Sequence, residues 1–213
     1  MRAMYAFFKR GFDLIAALAG VAVLAPGLGL IALIIKLDSP GPVFYRGVRV
    51  GYRGKKLRIF KFRTMTVDAE KTGTTTSHDD PRITRVGRFL RRYKLDELPQ
   101  LLNVVKGEMS LVGPRPEVEE HTSAYRDEEI LILTVPPGIT DYSSIRFVEL
   151  GKELGSENAH EFFLTRLRAE KNRLRLKYVR KRSFREDLRI LFWTFATLIR
   201  VAFGSGGGRD WSA

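Results

Sequence analysis

Residues 14–35 (LIAALAGVAVLAPGLGLIALII) contain no charged side chain. As a helix rising about 1.5 Å per residue, this run would be ~33 Å long, close to the thickness of a bilayer's hydrocarbon core. Pro26 stands near its middle, with no N–H for the carbonyl of Ala22 and a ring that crowds that turn. Gly27 and Gly29 ease a bend there. The pattern predicts either a kinked span or a helix that enters, breaks and returns. A cleaved secretory signal is disfavoured by the length of the run and the lack of a small-x-small site after it. A soluble core helix, apolar on every side, would need a larger protein around it.

Beyond this run the segments shorten. Asp38-Ser-Pro-Gly-Pro42 breaks the chain. Residues 43–50 alternate as a strand, 51–55 read as a turn, and 57–65 as a second strand or a helix start. Residues 68–80, polar and rich in threonine, are expected to be a mobile surface loop. Ile83, Val86, Phe89 and Leu90 recur at helical spacing within residues 82–93, with Arg85, Arg88, Arg91 and Arg92 around them. Pro114, Pro116, Pro136 and Pro137 punctuate the middle, and helices are expected over 121–134 and 158–178. Ser183-Phe-Arg-Glu186 reads as a capping box opening a helix through Val201. The uncharged stretch of that helix, 190–199, is too short to span. Leu188, Leu191, Phe192, Phe195, Leu198 and Ile199 share a side that suits either a core or a membrane interface. The expected division is an anchor over 1–38, one domain over 39–203 and a disordered tail over 204–213.

Charge changes the picture of the apolar run. The chain carries +13 overall, which predicts anionic partners such as acidic lipid, nucleotide or nucleic acid. The surplus concentrates in residues 46–63, with eight basic and no acidic residues, and in 166–189, with eleven basic and three acidic. Arg2, Lys9 and Arg10 precede the apolar run, and Lys36 follows it. Basic flanks are retained on the cytoplasmic side, so two of them favour re-entry over spanning. A basic domain joined to such an anchor would lie against an anionic leaflet. No cysteine is present, so disulfides and thiolate metal sites are excluded. Three widely spaced histidines, His78, His121 and His160, make a histidine-rich zinc centre improbable.

Candidate chemistry centres on Lys94-Leu-Asp-Glu-Leu-Pro-Gln-Leu101. Asp96 is a suitable N-cap, Glu97 suits a first helical turn, and Pro99 is tolerated there. The helix would continue through Val105 with Leu98, Leu101, Leu102 and Val105 inward. Plain capping explains such a pair on its own. Its neighbourhood of arginines and an anchor adds a second reading, in which a helix N-terminus binds phosphate. One carboxylate then holds a divalent cation while the other attacks phosphorus. Lys61-Phe-Arg-Thr-Met65 is either a solvated strand edge or a diphosphate clamp through Lys61 and Arg63. Gly113-Pro-Arg-Pro116 holds Arg115 between two residues of fixed φ, which suits bidentate phosphate binding.

Taken in order, these motifs resemble the bacterial sugar transferases of the small monotopic phosphoglycosyl transferase family. The resemblance rests on Asp38-Ser-Pro-Gly-Pro-Val-Phe44, Lys61-Phe-Arg-Thr-Met65, Arg82-Ile-Thr-Arg-Val-Gly-Arg-Phe-Leu-Arg91 and Leu95-Asp-Glu-Leu-Pro-Gln-Leu101. It continues through Asn103-Val-Val-Lys-Gly-Glu-Met-Ser-Leu-Val-Gly-Pro-Arg-Pro116, Pro137-Gly-Ile-Thr140 and Tyr178-Val-Arg-Lys-Arg-Ser-Phe-Arg-Glu-Asp-Leu188. It implies an α-rich α+β, monotopic membrane protein. Its N-terminus would be a re-entrant helix-break-helix turning at Pro26, followed by interfacial amphipathic helices and a compact cytoplasmic catalytic domain at the bacterial inner membrane. The implied reaction moves a phosphosugar from a nucleotide sugar, usually a UDP-sugar, to a polyprenol phosphate such as undecaprenyl phosphate. By the same resemblance Asp96 is the nucleophile that forms a phosphosugar-aspartyl intermediate, and Glu97 supports Mg2+. Arg115 and Lys61 bind phosphate, with Arg63, Arg82 and Arg88 as further phosphate-binding or supporting groups.

Two departures from the commoner pattern stand out. Family members often have a glutamine near position 47, where this chain reads Tyr45-Arg-Gly-Val-Arg49. After Pro137-Gly-Ile-Thr140 many continue Gly-Leu-Ala-Gln, where this chain has Asp141-Tyr-Ser-Ser144, so Asp141 and Tyr142 are candidate donor-selectivity residues. Two rival classes account for part of the pattern. A membrane-tethered nucleic-acid binder explains the charge but not the carboxylate pair, and no reading helix or aromatic RNA motif is present. Nucleic acid is therefore not an expected partner. A non-catalytic scaffold explains the anchor but not the phosphate-like constellation. The sugar, the glycan pathway and the oligomeric state are not legible.

Overall fold

The computed structural model describes residues 2–69, 80–148 and 167–203 of the chain. The loop expected over 68–80, the start of the helix expected at Asn158 and the tail from Gly204 fall wholly or largely outside these residues.

Helix α1 runs from Arg2–Asp38, 37 residues with Pro26 inside it, about 55 Å of helix. Every fourth or third residue on one side touches the rest of the protein. Lys9, Asp13, Ala17 and Ile35 are buried, while residues 22–27 are exposed. Near the N-terminus, Arg10 donates to the carbonyls of Val104, at 2.6 Å, and Val105, at 3.0 Å. Asp13 accepts from Ser110 Oγ at 2.7 Å and from the N–H of Leu111 at 3.3 Å. Near the C-terminus, Ile35 joins Phe62 and Leu90 in one apolar cluster, with Leu28 and Ile31 against it. Asp38 Oδ2 accepts from the N–H of Val86 at 3.3 Å. Both ends of the helix are therefore tied to one small domain, and Ala17 and Ile35 belong to its core clusters. The other faces leave Ile15, Leu18, Val23, Leu30, Leu33 and Leu37 exposed, an apolar surface too large to leave in water.

Among the described residues the domain is mostly helical around three two-stranded sheets. Strand β1 is Phe44–Tyr45 and β2 is Val48–Val50, followed by a 3-10 turn at Tyr52–Gly54, β3 at Lys56–Arg58 and β4 at Lys61–Phe62. The single strand expected over 43–50 is thus split at Arg46 and Gly47, and its halves pair separately, β1 with β4 and β2 with β3. Helix α2 covers Arg85–Arg92, capped by Thr84, whose hydroxyl accepts from the N–H of Gly87 at 2.9 Å. A 3-10 turn at Leu95–Gln100 leads into α3, Leu101–Val105, and then β5, Ser110–Val112. Residues 121–134 do not form one helix. They divide between α4, Glu119–Ser123, and a 3-10 segment at Asp127–Thr134. Asp127 has φ +47, which a continuous right-handed helix cannot contain. Strand β6, Gly138–Thr140, pairs in parallel with β5, and α5, Tyr142–Arg146, follows it.

Helices α6, Arg168–Lys181, and α7, Phe184–Ala202, complete the domain. Ser183 caps α7 as expected, accepting from the N–H of Glu186 at 3.3 Å, while the Glu186 carboxylate is taken by the Tyr142 hydroxyl and by Arg189. Asp187, Ile190 and Thr197 face the core. Phe184, Leu188, Phe192, Phe195, Ile199 and Phe203 form an exposed stripe on the opposite side, with Phe192 63% and Phe195 67% exposed. Of the six residues expected to share a side, Leu191 alone packs on the core cluster around Tyr142 and Tyr178. The helix thus presents a core side and an exposed apolar side. An apolar stripe of this length facing outward suits an interface.

Candidate functional site

The carboxylate pair sits in the 3-10 turn at Leu95–Gln100, and Asp96 is not its N-cap. That position belongs to Lys94, in the left-handed region at φ +57 and ψ 20. The end of α2 leaves no room for an extended cap. Tyr93 N donates to Phe89 O at 3.2 Å and Lys94 N to Arg91 O at 3.3 Å, so the next turn starts at once. The inward residues shift accordingly. Asp96, Pro99, Gln100, Asn103 and Val104 are buried, while Leu98, Leu101, Leu102 and Val105 are half-buried.

This placement turns both carboxylates toward cations from other elements. Asp96 is 2% exposed, and its Oδ2 lies 2.8 Å from Lys61 Nζ on β4. Its Oδ1 is buried and accepts no hydrogen bond from the described residues. Glu97 is held at both oxygens. Arg115 Nη1 donates to Oε2 at 2.8 Å, Arg115 Nη2 pairs with Oε1, and Lys61 Nζ stands 3.5 Å from Oε1. Burial acts to raise the pKa of Glu97, but the charges of Arg115 and Lys61 and the hydrogen bonds of Arg115 outweigh it, holding this carboxyl well below the ordinary range. The same pairing raises Arg115 above its usual value against the opposing effect of burial.

A carboxyl whose folded pKa is depressed adds stability that is complete above its unfolded value, 4.5, and is lost as pH falls toward the folded one. Urea midpoints measured against pH should therefore show the parent chain falling more steeply than Glu97→Gln between pH ~4.5 and ~2, with the two curves converging. Parallel curves would remove the ion pair from this account.

Arg115 reaches Glu97 because two motifs pair. Ser110 N donates to Pro137 O at 2.8 Å, Gly113 N to Thr140 O at 3.0 Å, and Gly138 N to Pro114 O at 3.0 Å. At the crossing, a Cβ on Gly138 would lie 2.0 Å from Gly113 N. Only glycine permits that approach, and it delivers the Pro-Arg-Pro segment beside the 3-10 turn.

The other expected phosphate ligands are placed differently. Arg63 is buried and turned to the Asp38-Ser-Pro-Gly-Pro42 break, donating to Ser39 O at 2.7 Å, to Ser39 Oγ at 3.0 Å and to Pro40 O. Arg82 is paired with Asp80, through Nε to Oδ1 at 2.9 Å and Nη2 to Oδ2 at 2.6 Å, and Nη1 donates to Ala69 O. Arg88 is exposed on α2. Arg63 and Arg82 hold chain segments together, and among the described residues the ion pairs of Asp96 and Glu97 are with Lys61 and Arg115.

Asp141 is fully buried as the N-cap of α5, its Oδ1 accepting from Ser144 N at 2.7 Å, Ser143 Oγ at 2.7 Å and Ser144 Oγ at 2.8 Å. Tyr142 is 1% exposed, in the core, and donates to Glu186. Neither side chain reaches open surface, so any influence on donor choice runs through the placement of their neighbours. At the other departure, Gly47 is buried and an added Cβ would meet the Tyr45 hydroxyl at 2.2 Å. The Tyr45 phenol thus fills the space beside Gly47, and Tyr45 is the cross-strand partner of Lys61.

Sequence reasoning passed over two cations. Arg91 is half-buried and donates from Nε to Thr64 Oγ1 at 2.8 Å; burial lowers its pKa while the charges of Asp96, Asp80 and Glu97 oppose this. Lys94 feels the charges of Glu97 and Asp96, while burial lowers its pKa. Each falls in the arginine-rich or carboxylate motif, and the signal was present only as proximity in sequence.

The fold and site define a class: a protein with, among the described residues, one helix long and apolar enough to cross a membrane, laid along a small mixed α/β domain built around two adjacent carboxylates clamped by a lysine and an arginine. The chain belongs to the bacterial sugar transferase family, whose model matches residues 4–201. It is 40% identical over 190 residues, 87% of its length, to a UDP-glucose:undecaprenyl-phosphate glucose-1-phosphate transferase of Escherichia coli. It is 36% identical over 209 residues, 95% of its length, to a UDP-N-acetylgalactosamine-undecaprenyl-phosphate N-acetylgalactosaminephosphotransferase of Aeromonas hydrophila. It is 38% identical over 195 residues, 90% of its length, to a UDP-glucose:undecaprenyl-phosphate glucose-1-phosphate transferase of Caulobacter vibrioides. The aligned segments cover 39%, 46% and 69% of these three relatives in turn.

Proposed function

We propose that this chain transfers a sugar phosphate from a UDP-sugar to undecaprenyl phosphate at a membrane surface, through a covalent intermediate on Asp96. The relatives' names supply the substrate classes. The observation that carries the mechanism is the contrast between the two carboxylates. Glu97 has both oxygens engaged, whereas Asp96 keeps one buried oxygen with no donor. A buried acceptor left unsatisfied calls for a reason, and here it is the oxygen available to attack. Asp96 Oδ1 attacks the phosphorus that bears the sugar, the bridging P–O bond breaks, and its electron pair leaves on UMP. A phosphate oxygen of the lipid then attacks the same phosphorus, restoring the Asp96 carboxylate and forming the lipid diphosphate. Lys61 and Arg115 offset phosphoryl charge, and Lys61 keeps Asp96 Oδ2 turned away from the attack.

Magnesium fits this site as an ion carried largely by water and the substrate diphosphate, which needs only one or two carboxylates. Glu97 would hold it through lone pairs that Arg115 leaves free. When bound it would supply electrophilic help at the phosphoryl oxygens.

The contacts of α1, which runs unbroken from Arg2 to Asp38 through Pro26, support the membrane reading. Tyr5, Lys9, Arg10 and Asp13 at one end, and Asp38 at the other, contact the same domain, while residues 22–27 contact little of it. We read this as re-entry turning near Pro26, with the exposed stripe of α7 in the interface, the basic surface against anionic lipid and the domain on the cytoplasmic face of the inner membrane, where nucleotide sugars are. The chain has no cysteine, so single cysteines at the exposed Met4 and Leu37 report topology cleanly. Both should react from the cytoplasmic side; reaction from opposite sides would make α1 a span.

The test of the function is UMP release from the chain in lipid nanodiscs, with a panel of UDP-sugars, magnesium and polyprenol phosphate. Turnover of one or more donors is expected. Absence of turnover across the panel, with tight and salt-sensitive binding of duplex DNA, would instead favour a membrane-tethered nucleic-acid binder.

A further inference from the structure

Lys94 occupies a position that the backbone reserves for glycine. It lies just past Tyr93, the C-cap of α2, in the left-handed region, and its N–H closes the helix end on Arg91 O at 3.3 Å. Helices commonly end in this way with glycine, or sometimes asparagine, at that place. A lysine there is strained, and such strain persists where surrounding structure imposes it and function uses it. Capping does not explain the choice, because Arg91 and Arg92 already supply positive charge to the last turn of α2.

The side chain is also placed unlike the other cations of the site. Lys61 is engaged by Asp96 and Glu97, and Arg115 by Glu97. Lys94 is half-buried, and its ammonium makes no hydrogen bond or ion pair among the described residues. It nevertheless lies in the field of Glu97, Asp96, Lys61 and Arg115. Burial lowers its pKa, with Glu97 and Asp96 acting to restore it. A partly desolvated ammonium with no partner is stabilised by an arriving anion more than one already paired.

We propose that Lys94 is a third phosphate-binding cation of this site, held out of ion pairs by its left-handed backbone so that it is free to meet a phosphate group of the incoming substrate. This rests on the reading of the site as phosphoryl-transferring. The phosphate belongs either to the nucleotide donor or to the lipid acceptor, and the two are separable by experiment.

Three substitutions isolate the charge from the backbone. Lys94→Gly removes both strain and charge, Lys94→Asn keeps a residue that tolerates this backbone but removes the charge, and Lys94→Arg keeps the charge and the strain. Lys94→Gly should raise Tm by about 2–4 °C. Binding of inorganic pyrophosphate and of UMP, measured by calorimetry on the full chain, should weaken roughly tenfold in Lys94→Gly and Lys94→Asn and stay within about threefold of the parent in Lys94→Arg. In turnover, a raised KM for the UDP-sugar assigns the donor phosphate, and a raised KM for polyprenol phosphate alone assigns the acceptor. A purely structural role predicts Lys94→Asn indistinguishable from the parent in binding and in both KM values, and that result would overturn the proposal. Because pyrophosphate affinity is read without turnover, this comparison stands even if none of the donors tested is a substrate.

Discussion

Asp96→Asn should abolish transfer while leaving the fold in place. The expected loss in kcat is on the order of 10⁴-fold, about 5.5 kcal/mol of transition-state stabilisation. An amide oxygen accepts a hydrogen bond from Lys61 as the carboxylate does, so the buried contact at 2.8 Å survives in neutral form. What disappears is the carboxylate oxygen proposed to attack phosphorus. With a UDP-sugar, magnesium and no lipid acceptor, the parent chain should release at most one UMP per site and carry a phosphosugar that intact-mass measurement on quenched protein detects. Asp96→Asn should release none and carry none. Glu97→Gln is the informative companion. If it lost the adduct while Asp96→Asn kept it, the roles of the two carboxylates would have to be exchanged.

The second large effect is structural. Gly138→Ala places a Cβ 2.0 Å from Gly113 N and 2.5 Å from Gly113 O. Both contacts are backbone, so no side chain can rotate away and the β5–β6 pair must separate. About 3 kcal/mol of stability should be lost, lowering Tm by about 6–12 °C in a chain of this size. Activity should fall further than stability alone accounts for, because the same pairing aims Arg115 at Glu97. The control is Gly11→Ala, a helical position with nothing within 4 Å of the new carbon, where the change should be neutral or slightly stabilising. Equal Tm for the two variants would show that the crossing is looser than drawn.

Local pattern proved a good guide wherever a segment's fate depends on its own residues. The helix over Arg85–Arg92, the cap at Ser183 and the long apolar helix were all legible, because capping and periodicity are properties of neighbours in sequence. The pattern failed where the backbone is set from outside. Residues 121–134 read as one helix, yet Asp127 adopts a left-handed φ and splits it. Asp96 read as an N-cap, but the tight end of α2 moves that role to Lys94 and frees the carboxylate for Lys61. Arg63, read either as a phosphate-binding or as a supporting group, holds the chain break at Ser39 and Pro40, a contact that no short-range pattern announces.

The sequence by itself therefore determined the ingredients: an uncharged run long enough to meet a bilayer, a basic domain, an adjacent carboxylate pair and an arginine between prolines. Composition and short-range spacing carry that information without folding. Only the tertiary structure decided which cations face which carboxylate. That depends on β4, the 3-10 turn and the β5–β6 crossing meeting in space, through contacts such as Lys61 to Asp96 and Arg115 to Glu97, which are 35 and 18 positions apart in the chain. It decided, too, that both ends of α1 rest on one domain and that the phenylalanines of α7 face outward. Burial belongs to the packed molecule, and the same apolar spacing serves a core or an interface until a neighbour covers one side of it.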